Sequence, residues 1–397
     1  MLLKFSINFN LLLSYTTGLV PFRYNFHKRR FDTCKPCEPF AALLLILLAG
    51  VQYKLGRLPG RMKIPKVGMQ NIIHMGKNLI LNGNCVLIAE QQLLFLDTYR
   101  QLLTDLLTRV HSLARRRTVG LAMQVQLFTQ LVLLPCATYT LHVSIYITLV
   151  EWSEINIVHG VLFMVSLIPN IAHVNNFYAL LFMQRVMLGE INDKLNNVWT
   201  ICIRTKASNK LNSMSHCLQI HLYEYQQCAS SVQKLLPYYS LSVALYLLIL
   251  FQELLSKVAS LIFYQFTHYY TLSNGYPSPN MLAVVGVATI SVYGINTFQL
   301  FSLCFAMSEE SLRIKSTVHR LSLIPGQDKY FHDTVKTFLM SLNHSMLKIT
   351  IAGMFTMDFE LLAGMLAAIS NFVVLLMQFH IDYSKSKMSF ASHPAND

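Results

Sequence analysis

Charge is scarce in this sequence. Only 13% of its 397 residues are Asp, Glu, Lys or Arg, against about 25% in an ordinary soluble domain. So few polar groups cannot cover a water-soluble protein of this length, and the composition argues against one. Glycine (16) and proline (12) are also scarce, which excludes collagen-like and low-complexity disordered chains. In their place stand 53% apolar residues, with Phe, Tyr and Met abundant, and a mean hydropathy of +0.42. The chain is expected to be an integral membrane protein. Its net charge of +13 then reflects the Lys and Arg that collect in cytoplasmic loops, and no nucleic-acid partner is implied.

Signals for catalysis and metal binding are equally thin. Cys34 and Cys37 have the spacing of half a zinc site or a redox pair, but no second pair or His cluster completes it. Most of the other cysteines lie in apolar stretches and read as small buried hydrophobes. No metal and no cofactor is expected. A nucleophile elbow, an HExxH, a phosphate loop and a paired-carboxylate cluster are all missing, so the chain does not read as an enzyme. Two similar halves with Gly- or Pro-broken helices, the mark of many secondary transporters, are missing too. Residues 5–20 are apolar only in patches, and no small-residue cleavage site precedes His27-Lys28-Arg29-Arg30. This stretch is expected to be a retained amphipathic segment rather than a cleaved signal.

What is present is a series of long apolar runs. A spanning helix needs roughly 20 mostly apolar residues. Candidates fall at about 40–57, 72–95, 121–150, 157–183, 239–263, 281–305 and 357–380, giving seven spans. The second is unusually polar, with His74, Lys77, Asn78, Asn82, Asn84 and Glu90. With the N-terminus inside, cytoplasmic segments hold 22 Lys and Arg and outer segments 7, as the positive-inside rule requires. A metabotropic seven-helix receptor keeps its N-terminus outside. The chain also lacks an acidic-Arg-aromatic triplet after its third span and an Asn-Pro-x-x-Tyr in its seventh.

The fold class read from this pattern is all-α: seven transmembrane helices, an intracellular N-terminus and extended cytoplasmic helices. The segments are a cytoplasmic N-terminal stretch (1–39), helices one to four (40–183), cytoplasmic amphipathic helices (184–238), helices five and six (239–305), a cytoplasmic loop with the start of helix seven (306–356), helix seven (357–380) and an extracellular tail (381–397). In the amphipathic part, Ile191, Leu195, Val198 and Cys202 recur at helical spacing, as do Leu211, Met214 and Leu218. Phe331, Val335, Phe338 and Leu342 repeat the pattern. Their apolar faces must pack on something, within the chain or against a second subunit.

Several polar residues sit where charge and hydrogen-bonding groups are expensive. Tyr139, His142 and Tyr146 share one face of the third span, and His74, Asn78, His159 and Tyr264 lie at comparable outer depth. They are candidates for a ligand pocket or for interfacial anchors. Glu253 and Lys257 stand one turn apart within the fifth span, in the favourable order for an intramembrane ion pair. On the seventh span Asn371, Leu375 and Gln378 fall on one stripe. Such groups face protein or water, so they either line an aqueous path or hydrogen-bond neighbouring helices, the latter worth about 0.6–2 kcal/mol each.

The last sixty residues carry a resemblance. Asn371-Phe372, five hydrophobic residues Val373 to Met377, then Gln378-Phe379 resemble the Thr-Tyr, five hydrophobics, Gln-Phe signature of the insect gustatory receptor family. Ala352-Gly353, Phe355 and Asp358 match the run into that helix, and Thr17-Gly18-Leu19-Val20-Pro21-Phe22 resembles a short segment near the start of these receptors. Asn and Phe replace the family's Thr and Tyr, and Val373 stands where the sugar-receptor branch often has Glu. The resemblance implies a ligand-gated, nonselective cation channel for bitter or other non-sugar tastants, in the plasma membrane of chemosensory neurons. It also implies a homotetramer or heterotetramer embedded in lipid, whose seventh helices line one pore with Leu375 and Gln378 at the gate and Asn371 deeper. The cytoplasmic helices would be its anchor domain. Two alternatives stay open: an insect odorant receptor subunit working with a co-receptor, and a metabotropic receptor.

Overall fold

A computed structural model describes residues 2–25, 30–33, 39, 43, 46, 47, 50, 68–116, 119–149, 154–204, 208–267, 279–325, 329–344 and 347–391. Most of the first expected span, 40–57, and the Cys34/Cys37 pair lie outside the described residues. The described chain is overwhelmingly helical. Helix α1 (Leu2–Thr16) is followed by a two-stranded ribbon, β1 (Phe22–Asn25) antiparallel to β2 (Arg30–Thr33). Helices α2 (Gly68–Leu94) and α3 (Leu96–Arg116) come next, then α4 (Leu121–Phe128) and α5 (Leu134–Leu149), separated by a π-helical turn over Thr129–Leu133. Three very long helices follow: α6 (Glu154–Arg204), α7 (Ser208–Thr267) and α8 (Pro279–Ser322). A short α9 (Lys329–His344), a hairpin of β3 (Thr350–Ile351) and β4 (Phe355–Thr356), and α10 (Phe359–Ala391) complete the chain.

The lengths alone set the architecture. At 1.5 Å per residue, the 60 residues of α7 extend about 90 Å, three times the hydrocarbon thickness of a bilayer. Its C-terminal half is apolar and its N-terminal half polar, while α6 and α8 have the opposite order. All three polar halves therefore project on the same side. There α9 packs across α7 and α8, burying Phe331, Val335, Phe338 and Leu342. On α6, Ile191, Leu195, Val198 and Cys202 are likewise buried. The amphipathic stretches and the spans are thus single continuous helices. Leu121–Ser144, Met214–Ala259 and Ala283–Ser322 are each long and apolar enough to cross a bilayer.

The second span differs from a plain rod. Its helix breaks at Phe95, and the pair Leu79–Leu94 and Leu96–Val110 is bent by 89°. The segment after the break, between the second and third expected spans, is α3. It folds because Tyr99, Leu102, Leu103, Leu106 and Val110 form one buried face. Near the third span's middle, Pro135 lacks an N–H and clashes with the carbonyl four residues back. The π turn just before it widens the helix there, with the Leu134 N–H donating to Thr129 five residues earlier.

The positions that carried the resemblance have local physical jobs. Gly18 ends α1 in the left-handed region (φ 74°), with Gly18 N–H donating to Tyr15 and Leu19 N–H to Ser14; this paired pattern is a Schellman cap. Ala352 (φ 51°) and Gly353 (φ 66°) turn the β3–β4 hairpin, closed by the Met354 N–H on Ile351 at 3.0 Å. Two successive positive φ values match a type I′ turn. Asp358 caps α10, its Oδ1 accepting from the Leu361 N–H at 3.0 Å.

Candidate functional site

The π turn is also what builds the first polar cluster. It aims Gln130 into the interior, where its amide donates to Asn296 on α8 at 2.7 Å and to Asn175 on α6 at 3.3 Å. Asn296 in turn donates to the Tyr246 hydroxyl on α7 at 2.9 Å. Toward the next turn of α5, His142 is buried. Its Nδ1 donates to the Thr138 carbonyl at 2.8 Å, which leaves Nε2 to accept from the Tyr293 hydroxyl at 3.2 Å. The two rings meet edge-on, 6.2 Å apart at 89°. Tyr139, one turn before His142, has a buried hydroxyl with no hydrogen-bond partner among the described residues.

An unmatched buried hydroxyl costs about 1–3 kcal/mol. The Tyr139 hydroxyl lies within electrostatic reach of Tyr293. Glu253 is buried on α7 within electrostatic reach of Tyr293, and Lys257 lies half-buried one turn further. The backbones of His74, Tyr146, His159 and Tyr264 belong to α2, α5, α6 and α7, while their side chains lie outside the described residues.

A second belt of polar groups ties the helices together. Asn84 on α2 donates to the Asn170 side chain at 2.7 Å and to the Ser242 carbonyl at 3.2 Å. His173 Nε2 meets the Ser242 hydroxyl at 2.8 Å. Asn176 binds Asn10 of α1 at 2.6 Å and the Tyr99 hydroxyl of α3 at 3.0 Å. Tyr99 stacks on Tyr238, with centroids 4.8 Å apart. Asn170, His173 and Asn176 follow at i, i+3 and i+6, one face of α6. Asn82 and Asn84 stand out as polar in their apolar run, and the α6 triplet is signalled only by its spacing.

Helix α10 presents the third feature. Ile369 and Val373 are buried toward α7 and α8, and Phe359 rests on Phe298 and Phe305 at 6.0 and 4.9 Å. Its opposite side is open: Asn371, Leu375 and Gln378 are all exposed, Leu375 by 44% and neighbouring Val374 by 54%. The structure places these three on the same uncovered face, and does not bring them together with the cluster around His142.

The arrangement has relatives. A family model described as 7tm chemosensory receptor matches residues 7–383, nearly the whole chain. The chain belongs to the 7tm chemosensory receptor family. As a chemosensory receptor it is a membrane protein of a receptor family rather than an enzyme. Its fold is similar to that of the insect olfactory receptor OR5 from Machilis hrabei, solved alone and in complex with eugenol. The TM-scores are 0.60 and 0.59 at 14% identity, over 95% of this chain and 98% of that one. No curated protein sequence matches the receptor. The residues that carried the resemblance, 17–22 and 352–379, all lie inside this family match.

Proposed function

We propose that this receptor is a gustatory, ligand-gated, nonselective cation channel for bitter or other non-sugar small molecules. It works as a homotetramer or heterotetramer in the plasma membrane of chemosensory neurons. The observation that carries the reading is the uncovered stripe of Asn371, Leu375 and Gln378 on an otherwise apolar helix. Four copies of that stripe around an axis make a ring of Leu375, able to dewet, and a ring of Gln378 amides, able to replace hydration. The excess of Lys and Arg on one side supports seven spans with the N-terminus cytoplasmic. The ligand site is the cluster of Tyr139, His142 and Tyr293, together with His74, Tyr146, His159 and Tyr264 as the sequence suggests. Glu253 and Lys257 form a structural ion pair beside it.

Binding opens the channel only in so far as the ligand holds the open arrangement more tightly than the closed one. The ligand shifts α7 and α8, on which α10 rests, and the Leu375 and Gln378 rings widen. Asn371 and Phe372, where gustatory receptors carry Thr and Tyr, support a second reading as an odorant receptor subunit with a co-receptor. Whole-cell recording with bitter compounds, sugars and volatile odorants, under block of G-protein signalling, tests both. A rapid nonselective cation current from the chain alone is the expected result. A current seen only with an odorant co-receptor would favour the second reading. Silence in both cases, with surface expression verified, would overturn the channel.

A further inference from the structure

On the projecting half of α7, well away from the cluster and stripe above, Cys217, His221 and Glu224 follow at i, i+4 and i+7 and share one helical stripe. His221 Nε2 lies 3.4 Å from the Cys217 Sγ, and His221 Nδ1 lies 3.1 Å from Glu224 Oε2. Lys194, reaching over from α6, donates to both Glu224 oxygens at 3.0 Å. The imidazole is only 8% exposed, while Glu224 and Lys194 are 32% and 39% exposed. Cys217 itself is neither buried nor fully exposed, unlike buried Cys85, Cys202, Cys228 and Cys304.

The direction of each bond follows from the chemistry. A carboxylate only accepts, so Nδ1 carries the proton and Nε2 presents its lone pair to the thiol. Burial alone would raise the Glu224 carboxyl, but its hydrogen bonds from Lys194 and His221 outweigh that and hold it below the usual carboxylate range. Nucleophile, base and orienting group thus stand in hydrogen-bonding sequence, the arrangement that activates catalytic thiols.

We propose that Cys217 is a covalent-modification site that adds soft electrophiles of the α,β-unsaturated carbonyl class, with His221 as base and Glu224 as positioning residue. The Sγ–H bond breaks and its proton passes to His221 Nε2. The sulfur electron pair forms the S–C bond at the β-carbon, and the π electrons move onto the carbonyl oxygen. The α-carbon then takes the proton back from His221. The adduct holds every atom of both reactants, with no leaving group and no change of oxidant or reductant. The chemistry is independent of the channel reading; only the cytoplasmic placement of the site rests on the topology proposed above.

The experiment is N-ethylmaleimide labelling of the full-length receptor in membranes, followed cysteine by cysteine by peptide mass spectrometry. Cys217 of the native chain is expected to react about tenfold or more faster than the same thiol in the urea-unfolded chain. His221→Gly removes that advantage and added imidazole restores it, a rescue that a merely structural histidine would not show. Glu224→Gln slows labelling and Glu224→Asp recovers part of it. Equal or slower labelling of the native chain would overturn the proposal without reference to any variant. A membrane-impermeant maleimide applied from either face separates the two ideas. Fast labelling from the outer face alone keeps the reactive thiol and refutes the topology.

Discussion

Gln378 is exposed at the uncovered face of α10, where a single amide decides between two roles. If it lines the ion path, Gln378→Ala changes gating or relative permeability while surface expression stays at the wild-type level. Unchanged currents would reduce Gln378 to a helix-packing residue. Glu224 offers a prediction on stability. Its folded carboxyl lies below the ordinary value of 4.5, with burial outweighed by hydrogen bonds from Lys194 and His221. Its contribution is therefore complete above the ordinary value and disappears as pH falls through the lowered one. The purified receptor should melt higher than Glu224→Gln at about pH 7 and lose that difference as the pH falls through the lowered value of the folded carboxyl. A constant gap across the series would refute the ion pair as the cause.

At this scale the sequence was informative about chemistry and silent about partners. His142 and Tyr139 were legible because polar groups in an apolar helix are expensive. That His142 meets Tyr293, 151 residues away, was not legible, because no local spacing encodes it. The partners of the α6 asparagines are illegible for the same reason, although the spacing of Asn170, His173 and Asn176 puts them on one face. Each reads as a stray polar residue until Asn84, Ser242 and Asn10 are seen opposite.

Elements divide differently. Apolar runs and heptad-like spacing locate the helices, but not where one ends. Nothing near residue 238 stops a helix, since Pro237 is accommodated within α7, so cytoplasmic and membrane portions merge. The β3–β4 hairpin is too short for any periodicity, and its turn falls at Ala352-Gly353. Ala352 holds the left-handed conformation at φ 51°, and its N–H donates to the Ser240 hydroxyl. A left-handed non-glycine residue costs about 1–2 kcal/mol. Ala352→Gly should accordingly raise the melting temperature of the purified receptor by an amount worth up to about 1 kcal/mol. Ala352→Val should lower it by about 1–2 kcal/mol, because β-branching adds to the strain. A stabilised valine variant would show that the turn is not held by this conformation.

For the molecule as a whole, one chain leaves Leu366, Val374 and Leu375 of α10 more than 40% exposed on the same helix whose other face is packed. A face of that kind, next to polar Asn371 and Gln378, is suited to other copies and an aqueous axis rather than to lipid alone. Light scattering of the detergent-solubilised receptor is expected to give a protein mass four times the 45.3 kDa of one chain. A homogeneous monomer at working concentration would remove the basis for a shared pore. Membrane insertion, the helical class and the stripe on the last helix were all determined by the sequence itself. They depend on apolar content and on the 3.6-residue period, which are local properties. The bend of the second span, the joining of Gln130 to Asn296, and the meeting of Lys194 with Glu224 were decided only by the tertiary structure. Those outcomes rest on contacts between residues tens to hundreds of positions apart, and only packing selects among such contacts.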